Sequence, residues 1–351
     1  MDFHSLRVAC VDPLTDDAVA ISFDVPDDLR EAYAFTPGQH LTIRGDDGER
    51  RSYSICVPPS AGVLRIGVKK LPGGAFSDAV VATLAPGDEL DVMTPAGRFT
   101  HVPDPTAEKT YVAVAAGSGI TPVLSIVSAL LEGEPGSFVT LVYANRTHRS
   151  VMFLDEVAGL KDVYGPRLQL LHVLSREATE VDLLSGRLDG ERLTRILDAL
   201  VPRDDVDAWF LCGPQQMVTE LGEVLAASGV ARSAIHTELF HAEPVERAPV
   251  VELAETADGT AAVTVRLDGR ASDFALRPDG PSVLEAAQAV RSDVPFACKG
   301  GVCGTCRARV VEGTVAMDVN YALEPEEVER GYVLTCQSHP TSPRLVVDYD
   351  A

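Results

Sequence analysis

No stretch of this 351-residue chain holds the roughly 18 consecutive apolar residues that a membrane-spanning helix needs. The opening MDFHSLRVAC carries an acid at Asp2 and no apolar core of the kind a secretory signal requires, so a cytoplasmic location is expected. Basic residues are scarce: 30 Lys and Arg stand against 52 Asp and Glu, a formal net charge of −22. That balance argues against nucleic acid or an anionic membrane as partner. Cysteines number only seven, an odd count and mostly dispersed, which does not suit a disulfide framework and leaves reduced thiols free for metals. Apolar residues are not lacking. At 46%, with 23% charged, they suit folded globular protein, and the length suggests two or three domains.

Three of the seven cysteines crowd into CKGGVCGTC, residues 298–306. The spacing is Cys298-x4-Cys303-x2-Cys306, with Cys336 downstream in GYVLTCQ, which is the plant-type 2Fe–2S ferredoxin spacing. Two bridged irons need four thiolates, two per iron, and a loop that approaches closely with amides aimed at the sulfurs. Gly300, Gly301 and Gly304 suit such a loop and its unusual dihedrals. Structural zinc usually takes two short C-x2-C pairs, and only one is present. A redox-active C-x2-C disulfide leaves Cys298 and Cys336 unexplained. Isolated Cys10 and Cys56 read as small core residues.

The surroundings read as an α+β ferredoxin domain of the β-grasp type over residues 260–351. AAVTVRLDG and ASDFALRPDG form a hairpin. SVLEAAQAVRSD forms a helix capped by Ser282, with Glu285 completing a capping box. The cluster loop follows, then one strand at CRARVVEGTVAM and a last strand at RLVVDYD. From residue 261 onward there are 13 acids and 9 bases, net −4, so −18 lies upstream and charge does not single out the ferredoxin part as a docking face. Residues 241–259, polar and proline-bearing at their start, read as a linker.

A one-electron centre needs a supply of electrons. YVAVAAGSGITPVLSIVSALLEG reads as a buried parallel strand, a bare turn at Gly117 and Gly119, and a helix with Pro122 in its first turn. Free amides at that helix start favour phosphate. The third glycine of G-x-G-x-x-G is missing, so an ordinary βα turn remains an alternative. SFVTLVYANRT, RLQLLHVLSRE and DAWFLCGPQQMVTELGEVLAASG repeat the strand-to-turn pattern. Together they predict an α/β doubly wound nucleotide-binding domain over residues 106–240. Arg146, Ser175 and Arg176 fall just past strand ends, where they suit a 2′-phosphate and hence NADPH; solvated loop arginines are the alternative. Residues 1–105, with short β-like runs such as HLTIRG, RSYSICV and LRIGVKK between Gly and Pro, predict an antiparallel β-barrel.

RSYS, GGAFS, AGSGITP and CGPQQM, in that order and followed by the ferredoxin signature, resemble the ferredoxin-NADP reductase superfamily. The resemblance implies a flavin-binding barrel. Arg51 would pair with an FAD phosphate, with Ser52 beside it in the motif. Tyr53 would stack on the isoalloxazine, and Ser54 would bond near its reactive nitrogen. Gly74, Phe76 and Ser77 would hold the pyrophosphate. Thr121 would face the flavin, while Cys212, Gly213 and Pro214 would line the nicotinamide pocket with Gly117 and Gly119. Ser54, Thr121 and Cys212 would thus flank the site of hydride transfer.

With PGQHLT, YSIC, ACKGGVCGTC, NYALEP and GYVLTCQ added, nearly the whole chain resembles the reductase subunits of phenylacetyl-CoA epoxidase complexes. One departure is that family loops can carry alanine where Gly304 stands. The resemblance implies an electron path from NADPH to FAD to the 2Fe–2S cluster. From there electrons would pass to the oxygenase subunits, a di-iron enzyme that epoxidises the ring of phenylacetyl-CoA. The oxygen chemistry itself calls for two E-x-x-H motifs. Only Glu238-x-x-His241 in ELFH occurs, and it reads as a chance match at a strand-like domain end. Phe240 there would cover the flavin face. Two other readings stand beside this one: the reductase of another oxygenase, such as an aromatic-ring dioxygenase, and a non-catalytic redox sensor.

Overall fold

Large and small side chains alternate along the second strand of the chain, and that alternation sets two cores side by side. In the computed structural model, which describes residues 2–45, 50–70, 77, 82–201, 205–241, 259–291, 293–323 and 325–351, the chain divides into two units, Met1–His241 and Ala242–Ala351. The first unit opens with β1 (Phe3–Thr15), β2 (Ala18–Asp24), β3 (His40–Arg44), β4 (Arg50–Ser54), β5 (Leu64–Lys69) and β6 (Glu89–Met93). They form an antiparallel sheet in the order β4-β3-β6-β1-β2-β5. Its two ends meet where Ile55, just past β4, bridges Ile66 of β5 and the Cys56 N–H donates to the Arg65 carbonyl at 3.0 Å, closing a barrel. Along β2, Val19, Ile21 and Phe23 fill the barrel, while Ala18 and Ala20 face the neighbouring layer.

That layer is a five-stranded parallel sheet. It contains β7 (Thr110–Ala116), β8 (Phe138–Asn145), β9 (Leu168–Leu174), β10 (Ala208–Pro214) and β11 (Ile235–His241) in the order β11-β10-β7-β8-β9. Its helices are α1 (Ile120–Gly133), α2 (Leu154–Tyr164), α3 (Gly190–Leu200) and α4 (Gln215–Ala227). Every residue from Ile120 to Leu131 is buried, so α1 serves both layers and not a single amphipathic stripe. Phe99 and Cys56 of the barrel share one core with Ile120, Val123, Phe153 and Phe210. The Ser125 hydroxyl donates to the Val57 carbonyl at 2.7 Å across the same boundary.

The strand order reverses between β7 and β10, one strand leading outward on each side. Crevices outside the carboxyl ends of such strands take ligands. ELFH belongs to β11, a fifth parallel strand beyond the four predicted from the sequence.

The second unit contains β12 (Ala261–Leu267), β13 (Arg270–Leu276), α5 (Val283–Val290), β14 (Arg307–Glu312), β15 (Val315–Met317), α6 (Pro325–Glu329), β16 (Tyr332–Leu334), β17 (Ser338–Pro340) and β18 (Arg344–Asp348). Its sheet runs β13-β12-β18-β14-β16, with β12 and β18 parallel. The hairpin of β12 and β13 forms as expected, and Ser282 and Glu285 make both bonds of the capping box, at 3.3 and 3.0 Å.

Three expectations need correction. CRARVVEGTVAM is two strands: the chain turns at Gly313, φ +85°, where a Cβ would lie 2.0 Å from the Arg344 carbonyl oxygen, and β15 leaves to pair with β17. Cys10 is exposed, whereas Cys56 is buried. A register shift between Val8 and Cys10 breaks the alternation that buries Leu6 and Val8 and turns Cys10 outward, its thiol 3.0 Å from Asp12. The left-handed backbone of the cluster loop falls at Lys299, Gly301 and Gly304, not at Gly300. The expected linker lies almost wholly outside the described residues. No helix among the described residues is long and apolar enough to cross a membrane.

Candidate functional site

The switch point brings two turns into contact. Gly119, at the start of α1, lies so near the end of β10 that a Cβ would sit 2.3 Å from the Cys212 carbonyl oxygen. Among the described residues no atom lies within 4 Å of a Cβ built at Gly117. The Tyr143 hydroxyl donates to the Gly117 carbonyl at 3.0 Å and fixes the turn from beneath. No side chain of the described residues stands between that turn and the first amides of α1, which suits a nucleotide phosphate there. Gly213 continues the β10 turn against Ala116 and Met217, and Pro214 precedes α4.

Ser54, at the end of β4, points across this crevice. Its hydroxyl donates to Glu238 Oε2 at 3.4 Å, and the Cys212 thiol lies 4.0 Å from the same oxygen. Cys212 and Glu238 are register partners on β10 and β11, so the sheet itself places them together. Glu238 is half-buried, and burial pushes its carboxyl up to about 8, with the Ser54 bond opposing the rise. The Cys212 thiol is raised well above its ordinary range, first by burial and then by the carboxylate beside it. A carboxyl enclosed with one long oxygen donor and one thiol has unused hydrogen-bonding capacity. That capacity, and the bare glycine turn beside it, fit a flavin and a nicotinamide meeting here.

Glu238 is the residue that sequence reasoning misses as part of this site. The sequence presents it only as half of an E-x-x-H match. The available signal is its position on a strand immediately after the last helix of the parallel sheet.

The remaining expected residues are placed as follows. Tyr53 is mostly buried beside Ser54, and burial raises its hydroxyl; Ser52 pairs across strands with Thr42, their hydroxyls 3.3 Å apart. Arg51 is exposed, with Nη1 donating to the Arg50 carbonyl at 3.0 Å. Ser77 is buried, whereas Gly74 and Phe76 lie outside the described residues. Thr121 is 1% exposed, its hydroxyl donating to the Ser118 carbonyl at 3.0 Å and its methyl turned toward Gly67. Phe240 packs half-buried against the core of the parallel sheet.

Arg146 and Arg176 are brought side by side at the ends of β8 and β9: the Arg176 N–H donates to the Arg146 carbonyl at 2.7 Å and the Ser175 N–H to Asn145 at 2.9 Å. Both arginines and Ser175 are exposed.

In the second unit the four thiols sort into two pairs. The Cys303 thiol donates to Cys298 and holds it down to about 5, helped by the N–H groups of Gly300 at 3.3 Å and Cys303 at 3.4 Å. Cys306 donates to Cys336, whose thiol is likewise lowered. Among the described residues no three of His, Cys, Asp and Glu converge as a single metal ion would need. Two thiolates for each of two irons is the demand of a 2Fe–2S cluster, and the four cysteines fit it.

The comparisons agree with this division. Residues 6–101 match an oxidoreductase FAD-binding domain, 113–222 an oxidoreductase NAD-binding domain, and 265–341 a 2Fe-2S iron-sulfur cluster binding domain. The chain is 46% identical to a subunit of the 1,2-phenylacetyl-CoA epoxidase of Escherichia coli (strain K12), over 99% of this chain and 98% of that one. It is 34% identical to the ferredoxin reductase component of 3-ketosteroid-9-alpha-monooxygenase from Rhodococcus rhodochrous, over 98% and 96%. The crystal structure of phthalate dioxygenase reductase shares the fold at a TM-score of 0.61 and 23% identity, covering 99% of this chain and 98% of that one.

Proposed function

The chain belongs to the family of oxidoreductases that includes this 1,2-phenylacetyl-CoA epoxidase subunit and the reductase components of other oxygenases, and on that premise we propose that it takes electrons from NADPH and delivers them to the oxygenase subunits of a phenylacetyl-CoA epoxidase. The observation that carries the partner is the 46% identity over 99% of the chain, against 34% for a ketosteroid oxygenase reductase. When bound, FAD accepts a hydride and releases electrons singly, and a 2Fe–2S cluster carries one at a time.

The chain's own residues do the rest. Arg51 would hold an FAD phosphate, with Ser52 in the same strand, and Tyr53 would present its ring to the flavin. Gly74, Phe76 and Ser77 would complete the pyrophosphate turn. Ser54 and Glu238 would share a proton beside the reacting edge of the flavin, with Thr121 buttressing the turn at Ser118. Cys212, enclosed and neutral, would give the nicotinamide a soft apolar wall, with Gly213 and Pro214 around it. Gly117 and Gly119 would admit the nucleotide phosphates to α1. Phe240 would cover the flavin face. Arg146, Ser175 and Arg176 would bind the 2′-phosphate, the reason for NADPH in preference to NADH. Cys298, Cys303, Cys306 and Cys336 would hold the cluster, whose thiolates suit a reducing cytoplasm.

The proposed division is barrel 1–105, nucleotide domain 106–240, linker 241–259 and ferredoxin domain 260–351. Anaerobic NADPH titration followed by visible absorbance tests the internal path: flavin and cluster bands are both expected to bleach. Addition of purified phenylacetyl-CoA epoxidase oxygenase subunits tests the partner. Phenylacetyl-CoA-dependent NADPH consumption supports it, and consumption indifferent to those subunits refutes it.

A further inference from the structure

Gln337, next to the fourth thiol, makes two contacts with the cluster loop and one with that thiol. One amide hydrogen of its Nε2 reaches the Lys299 carbonyl at 2.8 Å, and Nε2 also lies 3.6 Å from Cys336 Sγ, within hydrogen-bond reach of sulfur. Its stem closes over Gly301, where a Cβ would sit 3.2 Å from Gln337 Cγ. Its own backbone is fixed in turn, because the Asp318 N–H donates to the Gln337 carbonyl at 2.8 Å.

The Lys299 carbonyl is one end of a peptide unit whose other end is the Gly300 N–H. That N–H donates to Cys298 Sγ at 3.3 Å. Lys299 holds φ +50°, a left-handed conformation that a lysine side chain disfavours, so something must hold this peptide in place. The Gln337 amide is in position to do so from the carbonyl side. One side chain therefore reaches Cys336 directly and Cys298 through the 299–300 peptide. Cys336 and Cys298 are two of the four thiols expected to hold the cluster.

We propose that Gln337 is a positioning residue that supports hydrogen bonds to two of the cluster's thiolate sulfurs and thereby holds the reduction potential of the cluster up. Hydrogen bonds to cluster sulfurs stabilise the reduced form, because it carries one more negative charge. The inference rests on the reading of the four cysteines as a 2Fe–2S site.

The test is the midpoint potential of the cluster in the full-length holoprotein, followed by spectroelectrochemical titration and by the electron paramagnetic resonance spectrum of the reduced state. Gln337→Leu keeps the bulk and removes both donors. Its cluster is expected to be at least tenfold harder to reduce, about 59 mV for a one-electron couple, with a changed g-tensor. Gln337→Glu, which sets an acceptor against the Lys299 carbonyl and the Cys336 sulfur, should move it further in the same direction. A purely structural role would lower the melting temperature and leave the potential in place; a Gln337→Leu potential within twofold of wild type in equilibrium constant overturns the proposal.

Should Gln337→Leu fail to assemble, wild-type protein labelled with side-chain 15N-glutamine decides. Pulsed resonance is expected to detect a coupled amide nitrogen, and its absence overturns the proposal. A wild-type protein with no 2Fe–2S signal overturns the cluster reading itself, and this inference with it.

Discussion

Ser54 and Glu238, 184 residues apart in the chain, meet at 3.4 Å across the crevice between the barrel and the parallel sheet. Neither residue is unusual where it stands in the sequence. Burial lifts the Glu238 carboxyl to about 8, so the proton sharing proposed for this pair would depend on pH around that value. Glu238→Gln is expected to remove a pH dependence centred near 8 from the rate of flavin reduction by NADPH, measured by stopped flow. Ser54→Ala should slow that step by about a hundredfold, the low end of what positioned proton-transfer groups contribute.

The same carboxyl sets a stability trend in the flavin-free protein. The native state keeps the Glu238 proton up to about pH 8, while the unfolded chain releases it near 4.5, the ordinary value. Between those limits the native state binds more protons, so stability falls as pH rises through that window. Glu238→Gln should flatten this slope in urea unfolding curves collected between pH 5 and 9. An unchanged slope would show that the carboxyl is not held protonated.

Arg146 and Arg176 stand side by side through the 2.7 Å backbone bond that joins their loops. If they bind the 2′-phosphate, the double Ala variant should raise KM for NADPH by roughly tenfold to a hundredfold, since a hydrogen bond to a charged group contributes about 1.5–3 kcal/mol. KM for NADH should stay within about twofold, the size of a contact that makes no net difference in binding. Equal losses for both nucleotides would place these arginines outside the 2′-phosphate site.

Cys336→Ser and Cys298→Ser should each abolish the cluster absorbance while NADPH still bleaches the flavin, because the cysteines and the Ser54 site lie in separate units. Iron content by colorimetry and the remaining flavin spectrum check this together. Loss of flavin reduction in both variants would contradict the independence of the two units.

Gly119→Ala places a methyl 2.3 Å from the Cys212 carbonyl. The two turns must separate, at a cost of about 1–3 kcal/mol by analogy with overpacked cores. Thermal unfolding should register the loss, and nucleotide affinity should fall with it. Gly117→Ala should not reproduce the clash, since none of the described residues lies within 4 Å of a methyl there, though its φ of +54° still disfavours alanine.

Much of the site was legible because it is written locally. The Cys298, Cys303 and Cys306 spacing, the Gly117–Gly119 turn and the Ser282–Glu285 capping box each depend on residues within nine positions of one another. Local backbone geometry and side-chain reach constrain such motifs before any long-range contact forms. Cys10 shows the limit even there: it reads as a small core residue, and a register shift in β1 turns it outward.

By itself, then, the sequence determined the cofactor chemistry, through thiolate spacing and bare phosphate turns, and the order of the three family domains along the chain. Tertiary structure alone decided the partners that chain distance hides. The parallel pairing of β10 with β11 put Glu238 beside Cys212, and closure of the barrel against α1 put Ser54 within reach of Glu238. The fold of the cluster loop brought Gln337 back to Lys299, 38 residues away. Burial explains the difference. A carboxylate has no fixed function in a sequence, and it acquires one when the fold withdraws it from water and sets a hydroxyl and a thiol against it.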